Sequence, residues 1–439
     1  MLKTLVGAFK NKDIRKKILY TLMILVIVRV GSLLPIPGVD TEYFSSLLSG
    51  INTGDLSYLS AFTGGSFERM SLFALSITPY ITSSIIMQLL AIAIPKLEEM
   101  QKEGEDGRKK IAAITRYVTI GLALIESIAM AVGFGRSGLI KGYQGFSTLH
   151  YIVSIMVVVA ALTAGSAMLM WLGERITENG VGNGISIVLL INIISGMPSD
   201  FATLYSTFVA PRTIAKGVLA AAIIIAILVV MVVLVCFLQD GERRIPVQYS
   251  QKVSGRKTFG GQSTNIPLKV NTAGVMPVIF ASSLMQFPVI IAQLFGKSYE
   301  WTRYLSSSYW CRVSAPKYSI GLILYIVLLI IFAYFYTSIT FNPIEVADNL
   351  KKAGGVIPGI TPGKSTSDYL NNILNYIVFV GAVGLLIIAL IPIMCTGFFN
   401  ASVSFGGTSV IIIVGVVLET LKQIESQMVN RYYKGFLSE

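Results

Sequence analysis

Apolar and polar positions alternate along this chain in unusually long blocks. Runs of roughly 20 apolar residues, the length of one helical bilayer crossing, are separated by short polar stretches. Ten blocks are read, at 18–34, 70–94, 114–134, 151–172, 185–194, 218–237, 273–294, 320–339, 370–394 and 402–421. They predict an all-α polytopic membrane protein with ten transmembrane helices. Outside them lie an N-terminal segment 1–17, a tail 422–439, and two longer loops at about 240–270 and 341–369. Composition agrees: 54% of the 439 residues are hydrophobic and only 13% charged, about half a soluble chain's share. The first 17 residues do not read as a cleavable signal, because the apolar run from Ile18 is too long and lacks a small-residue cleavage site.

Charge then sets the orientation. Of the 35 Lys and Arg residues, 25 fall in the N-terminus, the even-to-odd loops and the C-terminal tail, 9 fall in the opposite loops, and Arg29 lies within a span. The basic side faces the cytoplasm, so both termini are expected there. The 16 acids on that side leave it +9 of the formal +12.

The blocks differ in kind. Those from Val218 and Ile320 are uniformly greasy and suited to lipid, whereas the second carries Ser76, Thr78, Pro79, Tyr80, Thr82, Ser83, Ser84 and Gln88. The seventh, NTAGVMPVIFASSLMQFP, is similar, the fifth is short and follows Gly180, Gly182 and Gly184, and the tenth opens with Ser402, Ser404, Gly406, Gly407 and Thr408. Proline and hydroxyl groups at membrane depth are tolerated where protein or water meets them. Spans two, five, seven and ten are therefore placed around a central path, with plain helix packing as the alternative for any one residue.

Catalytic and metal chemistry has little to work with. One His and the cysteines Cys236, Cys311 and Cys395, none in a CxxC pair, do not make the usual metal, haem or disulfide sites. Gly135-Arg136-Ser137-Gly138 fits a GxSG pattern but sits in an external loop with only His150 as base, and a turn is the better reading. Gly363-Lys364-Ser365 ends like a phosphate-binding loop, but Pro358 stands where its first glycine belongs. Within the spans only Arg29 and Glu126 are ionisable, too few for a charged relay; a structural pair or snorkelling groups would account for them. The chain is expected to need no cofactor and to be no enzyme.

The loop after span six, DGERRIPVQYSQKVSGRKTFGGQSTNIPLKV, alternates over IPVQYSQKV and predicts a projecting hairpin bearing Arg243, Arg244, Lys252, Arg256, Lys257 and Lys269. The loop after span eight holds Lys351, Lys352 and Lys364 among Gly/Pro turns at Gly354, Gly355, Pro358, Gly359, Pro362 and Gly363. A docking surface is one reading; orientation or contact with anionic lipid is the other. On the external side, DLSYLSAFTGGSFERM places Leu56, Leu59 and Phe62 near helical spacing before a Gly64-Gly65 hinge. This is either a movable stopper or an ordinary interfacial helix.

These residues resemble the SecY family of protein-conducting channels over almost the whole chain. The resemblance is carried by Arg29-Val30-Gly31-Ser32 and the following LPIPG, with Leu34 where the family's first Ile usually stands, and by ITPYITSSIIMQLL, QKEGEDGRKK, WLGERITENGVGNGIS, ERRIPVQYSQK, QSTNIPLKVNTAGVMPVIFASS, FNPIEVADNLKKAGG and SFGGTSVIIIVGVVLE. It implies two inverted pseudo-symmetric five-helix halves, 18–195 and 218–421, forming an hourglass pore. An apolar ring would close its waist, at Ile77, Ile81, Leu189, Ile193, Ile279 and Ile412. A plug at about 55–69 would cap it, with Asp55, Leu56, Leu59, Phe62, Gly64, Gly65 and Arg69. A lateral gate would lie between spans two and three and spans seven and eight.

The resemblance further implies translocation of unfolded secretory polypeptides across a bacterial plasma membrane, with lateral release of transmembrane segments into lipid. The implied partners are SecE and SecG, the ATPase SecA, the ribosome, signal peptides and nascent or secretory polypeptides, and membrane lipids. SecA or the ribosome would dock on Arg243, Arg244, Lys252, Arg256, Lys257, Lys351, Lys352 and Lys364. One departure stands out: the family usually reads PGIRPG where this chain has PGITPG, with Thr361. A ten-helix secondary solute transporter is the rival reading and a membrane enzyme a third.

Overall fold

A computed structural model describes residues 9–50, 63–135, 148–211, 214–249, 252–254, 257–259, 263–294, 300–306, 309–311, 316–399 and 407–435. The amino-terminal part comprises α1 (Lys12–Leu33), α2 (Thr41–Gly50), α3 (Thr78–Ala93), α4 (Pro95–Lys102), α5 (Glu105–Phe134), α6 (Thr148–Asn179) and α7 (Gly184–Leu204). After α8 (Ile214–Asp240) come strands β1 (Glu242–Tyr249), β2 (Lys252–Ser254), β3 (Lys257–Phe259) and β4 (Ser263–Lys269). Then follow α9 (Met276–Leu294), α10 (Glu300–Leu305), α11 (Ile320–Thr340), α12 (Pro343–Lys352), β5 (Gly355–Val356), α13 (Lys364–Phe399) and α14 (Gly407–Gly435).

Each apolar block predicted from the sequence contains a helix; most bounds differ, and in three blocks the local bonding shows why. The second block is helical only from Thr78. Its first residues pair instead with the end of span one: Ile36 N–H donates to the Met70 carbonyl, Leu72 N–H to the Leu34 carbonyl, and Pro35 bridges Ser71. The seventh becomes helical at Met276, after a turn in which the Asn271 side-chain amide donates to the Gly274 carbonyl. The fifth runs to Leu204, far past Ile194, because its hydroxyls bond within the helix: Ser195 donates to the Asn192 carbonyl (2.7 Å), Ser199 to Gly196 (2.7 Å) and Thr203 to Ser199 (2.9 Å). Among the described residues, six helices are long and apolar enough to cross a membrane, seven if α3 and α4, bent by 106°, form one span.

The order of helix neighbours is repeated. In the first group α3 packs on α5, α5 on α6, α6 on α7, and α1 on both α6 and α7. In the second, α9 packs on α11, α11 on α13, α13 on α14, and α8 on both α13 and α14. Taken in chain order, the two sets of contacts correspond one to one. The groups meet where α5 touches α9 and where α7 touches α14.

Each group has its own core. Phe44, Phe67, Met70, Met130 and Leu162 fill one, with Phe44 edge-on to Phe67 and Phe134. Met231, Val278, Trp310, Leu329, Leu385 and Ile411 fill the other.

The strands lie off the helices as a small sheet ordered β4-β1-β5, with β1 antiparallel to both neighbours, and β2 and β3 pair separately. The register sets Ile245 opposite Ile266 and Val247 opposite Thr264. The alternation within IPVQY turns Ile245 and Val247 inward, onto Leu268, Leu350, Ile357 and Leu370. The predicted hairpin is therefore present. The second loop is more than turns: it adds α12 and an edge strand to the hairpin, joining both loops in one unit.

Candidate functional site

The α7 N-terminus is fixed by Asn183, whose side-chain oxygen accepts from the Ile185 and Ser186 N–H groups at 3.2 and 3.5 Å. With the helix started there, Leu189 and Ile193, four residues apart, share a face. Ile77 caps the start of α3, where Pro79 supplies the preset backbone angle of a first turn, and Ile81 follows four residues on. Ile279 lies in the first turn of α9 and Ile412 in the second turn of α14.

These six side chains, from four helices and both groups, belong to a single apolar cluster. Ile77 and Ile412 are 1% exposed, Ile193 3%, Leu189 4% and Ile279 7%, and Ile81 packs partly buried against them. Sequence reasoning missed Phe73, Val188 and Phe280 in the same cluster. Phe73 fills a notch at Gly31, where a Cβ would lie 2.1 Å from its ring. Phe280 stands edge-on to Phe332 and Tyr336 of α11.

Of the proposed stopper, Asp55, Leu56, Leu59 and Phe62 lie outside the described residues. Gly64 and Gly65 both have positive φ, +61° and +79°, and Arg69 is exposed. From there to Ile77 the chain is a run of turns wedged into the first group. Ser71 Oγ donates to the Ser66 carbonyl, and a Cβ on Gly165 of α6 would lie 1.9 Å from the Leu72 carbonyl oxygen.

The polar residues of the second and seventh spans divide. Ser83 Oγ donates to the Thr115 carbonyl (2.9 Å), tying α3 to α5, while Thr82 and Ser282 bond their own helices. Ser83 is thus a helix-packing group. Ser76 and Asn192 instead form a buried contact across elements, with Asn192 Nδ2 donating to Ser76 Oγ at 3.1 Å. Arg29 and Glu126 form no ion pair with each other; Arg116, in the first half of α5, pairs with Glu174 at 2.7 Å. Among the described residues no group of His, Cys, Asp and Glu could hold a metal ion, and all three cysteines are free.

Of the predicted docking residues, Arg243, Arg244, Lys351 and Lys352 lie on the sheet unit. Arg243 is exposed on β1, and Arg244 is held by Glu242 at 2.6 Å. Lys351 and Lys352 end α12, where cations complement the helix dipole, and Lys364 begins α13. Lys252 and Lys257 sit at the two ends of the β2–β3 pair, and Arg256 lies outside the described residues. Asn342 caps α12 by accepting from the Ile344 and Glu345 N–H groups, which fixes how the two lysines are presented. Thr361 is exposed, and its carbonyl accepts from Thr366 Oγ at 2.9 Å.

Comparison with known proteins bears on the whole of this arrangement. The family model SecY matches residues 71–421. The protein translocase subunit SecY of Streptomyces scabiei is 44% identical over 445 residues, and that of Bacillus subtilis 42% over 445, each alignment covering all of both chains. Among solved structures, that of a protein conducting channel superposes with a TM-score of 0.62 at 18% identity, covering 94% of this chain and 93% of its own. Sec61 in the canine ribosome-channel complex gives 0.60 at 17%, with the same coverage. The low identities carry the fold alone; the curated relatives and the family model carry the lineage. The chain belongs to the SecY family.

Proposed function

We propose that this protein is a passive, gated channel that moves unfolded secretory polypeptides outward across a bacterial plasma membrane and releases apolar segments sideways into lipid. The carrying observation is the convergence of Ile77, Ile81, Leu189, Ile193, Ile279 and Ile412 from four helices of two groups. An aliphatic gasket of this kind can deform around any passing side chain and exclude ions by dewetting. The repeated helix order supports two five-helix halves, 18–195 and 218–421, related by an inverted pseudo-twofold and forming an hourglass closed at that gasket. The α5–α9 contact supports a lateral gate with α3 and α5 on one side and α9 and α11 on the other.

A channel of this kind needs an energy source. SecA or a translating ribosome supplies it, docked on the joined cytoplasmic loops through Arg243, Arg244, Lys252, Arg256, Lys257, Lys351, Lys352 and Lys364. SecE and SecG complete the assembly, both termini stay cytoplasmic, and the segment at about 55–69 acts as a plug. The translocase relatives support the transport role by kinship, and the fold shared with Sec61 of the canine ribosome-channel complex is compatible with ribosome docking.

The gasket is tested by replacing the six ring residues with Ser or Gly. Resting ion permeability of vesicles is expected to rise, along with transport of precursors bearing weakened signals. If both stay unchanged, the gasket assignment fails.

A further inference from the structure

Between α9 and α11 the chain folds back on the start of α11, at the end of that helix remote from α12 and the sheet unit. Trp310 Nε1 donates to the Tyr304 carbonyl at 2.8 Å, and the Cys311 N–H donates to Ser319 Oγ at 3.2 Å. These bonds hold α10 and the turn Pro316–Ser319 together. The Tyr318 ring is buried there, with Tyr304 and Tyr309 edge-on to it at centroid distances of 5.0 and 6.0 Å.

Two cations converge on this tyrosine. Arg303 and Lys317 both donate to its hydroxyl. The Arg303 guanidinium carbon also lies 5.9 Å from the centre of the Tyr309 ring, and the Lys317 ammonium nitrogen 4.9 Å from that of Tyr318. Glu300 is close enough to act on both cations, and one acid against two bases leaves the cluster positive. A phenol has a proton to give as well as lone pairs that receive. Here the oxygen receives twice, and among the described residues nothing accepts its proton. Like charges meeting at one oxygen also repel, a cost that an anion between them removes. Two cations and an uncommitted O–H form a donor set suited to phosphate oxygens.

The neighbouring surface says what carries the phosphate. Ile320, Ile323 and Leu324, which follow Tyr318 on the lipid-suited α11, are exposed, as is Trp301 on α10. An aromatic and basic cluster at the end of a bare apolar span lies at headgroup level. We propose that Arg303, Lys317 and Tyr318 bind the phosphate of an anionic phospholipid whose acyl chains lie along the exposed face of α11. Tyr318 donates to one phosphate oxygen, and the cations exchange their shared hold on the phenol for the others. The positive excess favours a lipid of net negative charge over a zwitterionic one. The site lies apart from the apolar cluster and the sheet unit, and it stands whether or not the channel reading does.

The test is a titration of the full-length protein, stripped of lipid in detergent, with phosphatidylglycerol or phosphatidylcholine, read by native mass spectrometry. The variants are Tyr318→Phe, the pair Arg303→Gln with Lys317→Gln, and Lys216→Gln, an exposed lysine at the corresponding end of α8. The tightest phosphatidylglycerol site is expected to weaken about tenfold in Tyr318→Phe and further in the paired variant. Phosphatidylcholine binding should stay at the parent level throughout, and Lys216→Gln should behave as the parent does. Parent affinity in Tyr318→Phe, or equal weakening in Lys216→Gln, would overturn the proposal. A parallel loss of phosphatidylcholine would mean a repacked lipid face and would count equally against it. Displacement of the lipid by inorganic phosphate at matched concentration would overturn the lipid assignment. Tyr318→Phe keeps the ring and its edge-on neighbours, so it decides the question even if the paired variant does not fold.

Discussion

A methyl group on Gly165 would press on the Leu72 carbonyl oxygen, a backbone atom that cannot rotate away. Gly165→Ala should therefore displace the 63–77 turns and destabilise the protein by about 1–3 kcal/mol, the usual cost of overpacking; thermal unfolding in detergent reads it. Thr361 is the opposite kind of position. Its side chain is exposed and only its carbonyl is engaged, so Thr361→Arg has room and restores the family's usual residue. Motor-driven transport is expected to be preserved or raised, and a sharp loss would mean that this loop docks differently. At this scale the clustering of the six residues proposed as the ring was legible because ordered motifs such as ITPYI and GNGIS carry them residue by residue. Gly31 and Gly165 were not, because a glycine's sequence neighbours do not name the ring or carbonyl that fills its notch.

Among the elements, the hairpin could be read from the period-two alternation of IPVQY, but its third strand could not. Gly355–Val356 is two residues long and acquires strand character only by pairing with Gln248 and Tyr249. This pairing makes the two loops one unit over a shared core, which Val247 anchors at 0% exposure. Val247→Asp would bury an unpaired charge there and destabilise that unit by about 3–5 kcal/mol. Coupling to the motor or ribosome should fall steeply while resting ion conductance stays at the parent level, since the apolar cluster is built by other helices. A rise in conductance would show that loops and ring are not independent. Element boundaries failed where polar groups confused the apolar signal. Span five reads as ten residues long because Asn192, Ser195 and Ser199 dilute it, yet two of those hydroxyls simply bond back into the helix. Span two errs the other way: residues 70–77 are apolar for the core of turns they form, not for a helix.

For the whole molecule, the charge bias and the helix order point to the same design. Basic residues concentrate on the side predicted to be cytoplasmic, where β1, α12 and the start of α13 carry them, and the lipid-suited helices α8 and α11 leave their greasy surfaces uncovered. The repeat of helix neighbours was not visible in the sequence, since the two groups share a pattern of contacts and no obvious pattern of residues. What the sequence did carry was the separation of greasy spans from small-residue spans, and the four spans chosen on polarity are the four whose residues Ile77, Leu189, Ile279 and Ile412 meet in one apolar cluster. The proposed function depends on that cluster closing a path for polypeptides, driven from outside the chain. Protease protection of a secretory precursor, in vesicles holding the protein with SecE, SecA and ATP, puts this to the test. A polypeptide channel should yield a protected, full-length precursor that depends on ATP and on an intact signal peptide; no protection in the presence of a competent motor would contradict it.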